Sequence, residues 1–219
     1  MRLFYWILHL LFPPRCVLCR RFLRKEETDL CRDCRRNGPE YLNTKTKVQF
    51  LDSFAAVWYY EGRVRDSLRR YKFYGARSYA SSYGRLLAMK LQEGAPDGFD
   101  ILTWVPVSTL RRMRRGYDQA QLLARSVGRE LDMVPVLTIK KIRHNPQQSR
   151  IRDAARRRAN VLGAYRVIEP EQVRGKRILL LDDIFTTGAT VGECARMLRM
   201  SGAEEVHCAV VAAAPKRKK

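Results

Sequence analysis

The densest chemistry in the chain lies in residues 177–191, RILLLDDIFTTGATV. A wholly apolar strand runs straight into Asp182 and Asp183, and Thr186, Thr187, Gly188, Ala189 and Thr190 follow before a helix begins. In an open α/β sheet, ligands bind at the carboxyl ends of the strands. Gly188 lets a backbone approach closely, consecutive N–H groups can point inward, and threonine hydroxyls add donors. The helix N-terminus contributes its positive dipole end, so the turn suits a monophosphate. Two carboxylates cannot bind that phosphate, because like charges repel. They must serve something beside it: sugar hydroxyls, a Mg²⁺ ion, or both. Phosphate, vicinal hydroxyls and Mg²⁺ together describe a phosphorylated ribose. A GxxxxGK[ST] loop and a GxGxxG after a strand are both absent from the chain, which removes the two commonest nucleotide cradles. A plain helix cap on an ordinary turn would not account for two adjacent acids after an apolar strand.

The second constellation is Cys16-x-x-Cys19 and, eleven residues on, Cys31-x-x-Cys34. Each pair puts two sulfurs on one side of a tight knuckle, and two knuckles close a tetrahedron that thiolates offer to zinc. Four cysteines leave no open position, so the metal is expected to be structural. Arg15, Arg20, Arg21, Arg32 and Arg35 would offset the charge of the tetrathiolate. Disulfides or free thiols are the alternative, and zinc is favoured by the spacing. Cys194 and Cys208 stand in apolar segments and read as small buried hydrophobes.

Charge sets this chain apart. Its 219 residues carry 43 Lys+Arg against 22 Asp+Glu, a formal net charge of +21. A small phosphorylated ligand needs only a few of these cations, so a polyanionic partner is expected, nucleic acid first and an acidic membrane second. Arg111, Arg112, Arg114 and Arg115 form one basic run, and Arg156, Arg157 and Arg158 another. Arg63, Arg65, Arg69, Arg70 and Lys72 stud a helix beside Tyr71, Phe73 and Tyr74. Cations interleaved with rings suit a single-stranded nucleic acid, although each of these aromatics taken singly reads as core. At 46% hydrophobic residues the chain can build a core and is not disordered. No apolar run reaches the roughly 18 residues of a membrane span. Residues 1–12 are apolar with an early arginine, but they end at Pro13-Pro14 without a small-x-small site. They are expected to form a short helix, with Leu3, Ile7, Leu10 and Leu11 on one face, rather than a signal peptide. Thiolates held for a metal point to a reducing, cytoplasmic compartment.

The elements that must position these residues follow from the apolar pattern. Strands are expected at 55–60, 100–107, 134–139, 164–167, 177–182 and 205–212. Helices are expected at 63–74, 81–92, 117–131 and 189–200. Residues 140–158 carry eight basic residues against the single acid Asp153 and read as a long loop. Strands alternating with helices make an α/β fold with a parallel or mostly parallel sheet. Three parts are expected: an N-terminal helix and zinc module over 1–45, the α/β domain over 46–214, and a basic tail over 215–219.

The stretch LLLDDIFTTGAT closely resembles the 5-phosphoribosyl-1-pyrophosphate (PRPP) motif of type I phosphoribosyltransferases. With the four-Cys module, and the run from Val105-Pro106-Val107 through Arg115-Gly116-Tyr117-Asp118-Gln119, the chain resembles the ComF family over nearly all of residues 10–214. That family pairs a zinc finger with a phosphoribosyltransferase-like domain and is associated with DNA uptake in competent bacteria. The resemblance implies that Asp182 and Asp183 meet the ribose hydroxyls and the Mg²⁺-bound sugar. Thr186, Thr187, Gly188, Ala189 and Thr190 would wrap the 5-phosphate, and the turn at Val107 and Ser108 would meet pyrophosphate. Residues 140–158 stand where those enzymes carry a loop that closes over pyrophosphate. Tyr117 and Asp118 stand where the family more often has Phe and Asn, and no hood for a base is identifiable. Pentosyl transfer would pass through an oxocarbenium-like transition state, with the aspartates beside the ribose and Mg²⁺ and arginines beside the leaving group. No general base stands out; His144 is the one histidine in a loop, and His9 and His207 read as structural. The expectation is a protein that binds PRPP and single-stranded DNA, with other DNA-uptake proteins as partners. The rivals are a salvage phosphoribosyltransferase and a DNA-binding adaptor with a vestigial site.

Overall fold

The computed structural model describes residues 13–42, 48–94, 98–143 and 159–215, with the side chain of Arg114 excepted. The N-terminal helix expected over 1–12, His144, Arg156, Arg157, Arg158 and the basic residues 216–219 lie outside the described residues. Four strands form the main sheet: β1 (Ser53–Tyr59), β2 (Ile101–Trp104), β5 (Arg177–Phe185) and β6 (Glu205–Ala213). Their order is β1-β6-β5-β2, and every neighbouring pair is parallel. A second, antiparallel pair joins β3 (Ile139–Lys141) to β4 (Tyr165–Val167). Helices are α1 (Arg32–Asn37), α2 (Gly62–Phe73), α3 (Tyr79–Gly94), α4 (Thr109–Arg115), α5 (Gln119–Glu130), α6 (Pro170–Val173) and α7 (Ala189–Met200).

β5 explains the layering. It is an inner strand covered on both faces, which is why it reads as an unbroken apolar run. Its alternate residues feed two cores. Leu179 and Leu181 pack with Val64, Leu68, Tyr83, Leu87 and Leu123 from α2, α3 and α5. Ile178 and Leu180 pack with Ile139, Val173, Cys194 and Leu198 on the other face. Cys194 and Cys208 are both buried, as their apolar surroundings predict. Gly84 of α3 lies against α5, where an added Cβ would stand 2.4 Å from the Cβ of Ser126. Only glycine permits that approach.

The residues of the four-Cys module do not form a separate bead. Val17, Leu18 and Leu30 belong to the same core as Val64, Leu68 and Tyr71. Buried Asp29 accepts from the Arg85 guanidinium, Nε to Oδ2 at 2.9 Å, which ties the module to α3.

Several expectations need correction. Residues 134–138 form no strand; Val136 makes one ladder-like bond, its N–H to the Leu102 carbonyl at 2.9 Å. Pro135 removes a donor, and Val134 is 84% exposed, so neither pairing nor burial supports a strand there. The strand begins at Ile139 instead, and Lys140 and Lys141, expected in a loop, belong to it. β2 stops at Trp104, two residues before Pro106. α4 was not anticipated, because its sequence TLRRMRR has no apolar face to reveal it. The helix expected from 117 starts at Gln119, because Asp118 caps it. Phe73 and Tyr74 are 53% and 71% exposed rather than core, while Tyr71 is fully buried.

Candidate functional site

β5 does not end at the aspartates; it carries them both and runs on to Phe185. Adjacent strand residues point to opposite faces. Asp183 therefore lies on the α2 and α5 side, where the Lys72 ammonium meets its Oδ1 at 2.8 Å. Asp182 lies on the α7 side, and its Oδ1 accepts from the Asp183 N–H at 2.8 Å. Burial, with the neighbouring Asp183 charge added, holds the Asp182 carboxyl well above the usual carboxylate range, against the opposing pull of Lys72.

Beyond Phe185 the chain turns. Gly188 has φ +74°, and a Cβ there would stand 2.6 Å from the Phe185 ring. Glycine is needed both for the left-handed backbone and for the ring beneath it. Gly188 is the N-cap of α7, and no side chain caps that helix. α5 differs: the Asp118 side chain accepts from the Gln121 N–H at 3.1 Å. The first-turn amides and dipole of α7 are thus left without a side-chain cap.

The strand ends and this turn open into a cavity of about 480 Å³. Asp182, Asp183, Thr186, Thr187, Gly188, Ala189 and Thr190 line it. Val107 lines it too, whereas Ser108 does not; it is buried as the N-cap of α4. Five cations from three elements face the same space: Arg69 and Lys72 of α2, Arg111 and Arg115 of α4, and Lys141 of β3. Arg111 and Arg115, grouped by sequence with a nucleic-acid run, therefore form part of the cavity wall. Arg112 of the same helix is exposed and is not among the lining residues. Burial, with the Arg111 charge added, lowers the Lys141 ammonium to about 8.

The run from Arg115 to Gln119 is accounted for residue by residue. Arg115 donates to the Gln119 Oε1 at 2.9 Å, and its guanidinium lies 5.1 Å from the centre of the Phe73 ring. Gly116 ends α4 in the left-handed region, at φ +74°. The Tyr117 hydroxyl donates to the Tyr71 carbonyl, and the Tyr71 hydroxyl to the Gln119 carbonyl at 2.7 Å. Asp118 caps α5 with one oxygen and accepts the Val107 N–H with the other at 3.2 Å, which fixes the loop at the cavity edge. Burial raises the Asp118 carboxyl despite these amide donors.

Outside the cavity lining, the sulfurs of Cys16, Cys19, Cys31 and Cys34 all lie within 4.8 Å of one another, and none is in a disulfide. The Cys19 and Cys31 sulfurs are 3.6 Å apart. A tetrahedron with Zn–S bonds of about 2.3 Å has edges of about 3.8 Å, so the donor set and its spacing fit zinc. The Cys34 N–H donates to the Cys31 Sγ at 3.4 Å, the knuckle geometry the spacing implies. Mg²⁺ fits the aspartates less well. Asp183 is already neutralised by Lys72, and Asp182 is turned to the other face with its anion disfavoured.

His207 bridges Ser53 and Glu205 at the opposite, amino end of the strands, at 2.8 Å to each, and is structural as expected. Among the described residues, no helix is long and apolar enough to cross a membrane.

Residues 113–219 match the phosphoribosyl transferase domain, and residues 7–44 the double zinc ribbon domain. DNA utilization protein YhgH of Escherichia coli O157:H7 is 32% identical over 87% of this chain and 86% of its own. Competence protein F of Haemophilus influenzae is 26% identical over 89% and 95%, respectively. Competence protein ComFC of Bacillus subtilis is 28% identical over 85% and 72%. The chain belongs to the ComF family. This ComF family member has the phosphoribosyltransferase-type parallel sheet with flanking helices and an N-terminal four-Cys ribbon.

Sequence reasoning read Arg69 and Lys72 as part of a nucleic-acid helix face and Lys141 only as part of the 140–158 loop; it did not join them to the aspartates. Lys72 is 111 positions from the aspartate it pairs with, and only the packing of α2 on β5 joins them.

Proposed function

We propose that this ComF family member is a cytoplasmic protein of DNA uptake that binds PRPP, or a related ribose phosphate, together with single-stranded DNA. The carrying observation is the uncapped α7 N-terminus on Gly188, opening into a cavity with five cations and two carboxylates. The turn from Thr186 to Thr190 receives the 5-phosphate through amides, hydroxyls and the helix dipole. Asp182 meets the ribose hydroxyls. Arg69, Arg111, Arg115 and Lys141 meet the pyrophosphate, with Val107 held at its edge by Asp118. Mg²⁺, when bound, would be carried by the pyrophosphate of the ligand rather than by the aspartates, and would supply charge neutralisation there. The names of the relatives, competence and DNA utilization proteins, support the DNA role, and the surplus of 21 positive charges supports a polyanionic partner.

The test is calorimetric titration of the zinc-loaded protein with PRPP and Mg²⁺, with and without a short single-stranded oligonucleotide, beside Asp182→Ala/Asp183→Ala. PRPP should bind the wild type and not the double variant, and any change in affinity with oligonucleotide measures coupling between the sites. Oligonucleotide binding equal in both proteins, with no PRPP binding in either, would leave a DNA adaptor. PRPP consumption with a nucleobase, without salt-sensitive DNA binding, would favour a salvage enzyme.

A further inference from the structure

The two aspartates have different surroundings, and Lys72 makes the difference. Its ammonium lies 2.8 Å from the Asp183 Oδ1, with 22% of the lysine side chain and 8% of the aspartate exposed. The helix end that carries it is fixed. The Tyr71 carbonyl accepts from Tyr117, and the Lys72 carbonyl accepts from the Gln119 Nε2 at 3.5 Å. A divalent metal on Asp183 would have to displace this ammonium into a cavity that already holds Arg69, Arg111, Arg115 and Lys141, and like charges at such range oppose that. The contact with Asp183 is an ion pair, and an ammonium carries three N–H donors that can serve phosphate or hydroxyl oxygens in the cavity.

We propose that Lys72 is a resident cation on the cavity floor that supplies, beside Asp183, the positive charge a divalent metal would otherwise bring. Ribose-phosphate binding then has a weak requirement for Mg²⁺. This rests on the ribose-phosphate reading of the cavity. Lys72 acts as a positioning residue: it holds the Asp183 carboxylate and offers its remaining donors to the ligand.

The experiment titrates PRPP into zinc-loaded protein, with and without Mg²⁺, for wild type, Lys72→Met and Lys72→Arg. Chelators are avoided and zinc content is checked, so that the ribbon stays intact. Wild type should lose less than about tenfold in affinity when Mg²⁺ is withdrawn. Lys72→Met should lose about tenfold to a hundredfold without Mg²⁺, the range for a charged hydrogen bond, and regain most of it with Mg²⁺. Lys72→Arg should follow wild type. A wild type as dependent on Mg²⁺ as Lys72→Met, or a Lys72→Met with undiminished Mg²⁺-free affinity, overturns the proposal. Melting in Mg²⁺ alone is an independent readout. Lys72→Met should gain thermal stability from Mg²⁺ and wild type should not, because only the variant leaves Asp183 open to the metal. That difference, with no PRPP binding in either protein, sinks the ribose-phosphate reading and leaves the assignment of Lys72 standing. No difference in Mg²⁺ sinks the assignment, whatever PRPP does. Where the single variant fails to fold, Lys72→Met/Asp183→Asn leaves no charge unpaired. It should lose Mg²⁺-free affinity without regaining it in Mg²⁺, and retention of that affinity overturns the proposal.

Discussion

Lys141 stands half-buried in the cavity wall, and its ammonium is lowered to about 8 by burial and by Arg111. In the free protein it therefore loses its charge as pH rises through that value. A bound phosphate favours the charged form, so binding above that pH must take up a proton. Affinity for a ribose phosphate should fall by up to about tenfold between about pH 7 and about pH 10. Lys141→Met should bind more weakly at neutral pH and show a flatter profile; titrations across pH read both. Gly188 supports a sharper expectation. At φ +74°, with a Cβ 2.6 Å from Phe185, Gly188→Ala is strained twice. The left-handed backbone alone costs about 1–2 kcal/mol. The variant should melt lower and lose most of its phosphate affinity, and a melting curve together with a phosphate titration measures each effect.

Among the elements, α2 connects the four-Cys cluster to the cavity. Near its start, Arg63 donates to the Asp33 Oδ2 at 2.7 Å and to the Cys34 Sγ at 3.5 Å. In its middle, the Ser67 hydroxyl donates to the Val17 carbonyl, inside the first Cys-x-x-Cys knuckle, and in its last turn Arg70 donates to the Leu18 carbonyl at 2.6 Å. Its C-terminal part also delivers Arg69, Lys72 and Phe73 to the cavity. A helix of 12 residues is about 18 Å long, so metal and cavity share one rigid rod. Cys16→Ser/Cys19→Ser should release zinc and lower the melting temperature, because the binding free energy of a structural zinc is folding free energy. It should also weaken PRPP binding. Metal analysis, melting and calorimetry on the same sample test all three, and unchanged metal content with unchanged melting would sink the structural role of the ribbon. The interface of α3 with α5 depends on Gly84 in the same local sense. Gly84→Ala pushes a methyl into Ser126 and should cost about 1–3 kcal/mol, read as a fall in the denaturation midpoint.

For the whole molecule, the arginines divide by where they face. Arg111 and Arg115 line the cavity, whereas Arg112 is exposed. Arg111→Ala/Arg115→Ala should lower PRPP affinity. Arg112→Ala should leave PRPP binding unchanged and reduce the salt dependence of oligonucleotide binding, by up to about 0.7 in the log–log slope for one lost phosphate contact. Oligonucleotide titrations at several salt concentrations, run beside PRPP titrations, separate the two. A slope unaffected by Arg112→Ala would place the strand on another face.

The sequence alone determined what is local along the chain. Two Cys-x-x-Cys knuckles, an apolar strand carrying paired acids and a glycine turn before a helix each depend on neighbours a few residues away. Burial on both faces made β5 legible, and α7 was read with its bounds unchanged. β3 was misplaced because the β-branched run at 134–139 carries strand propensity without a partner, and α4 was missed because its length and charge hide any periodicity. Only the tertiary structure decided which cations serve the cavity. Lys72, Arg69 and Lys141 look like many other basic residues among the 43 in the chain. What distinguishes them is the docking of α2 and β3 around the carboxyl ends of the sheet, and that docking is set by burial of apolar faces far apart in sequence. The same packing turned the two aspartates to opposite faces and gave one of them a lysine, a difference that two identical adjacent letters cannot carry.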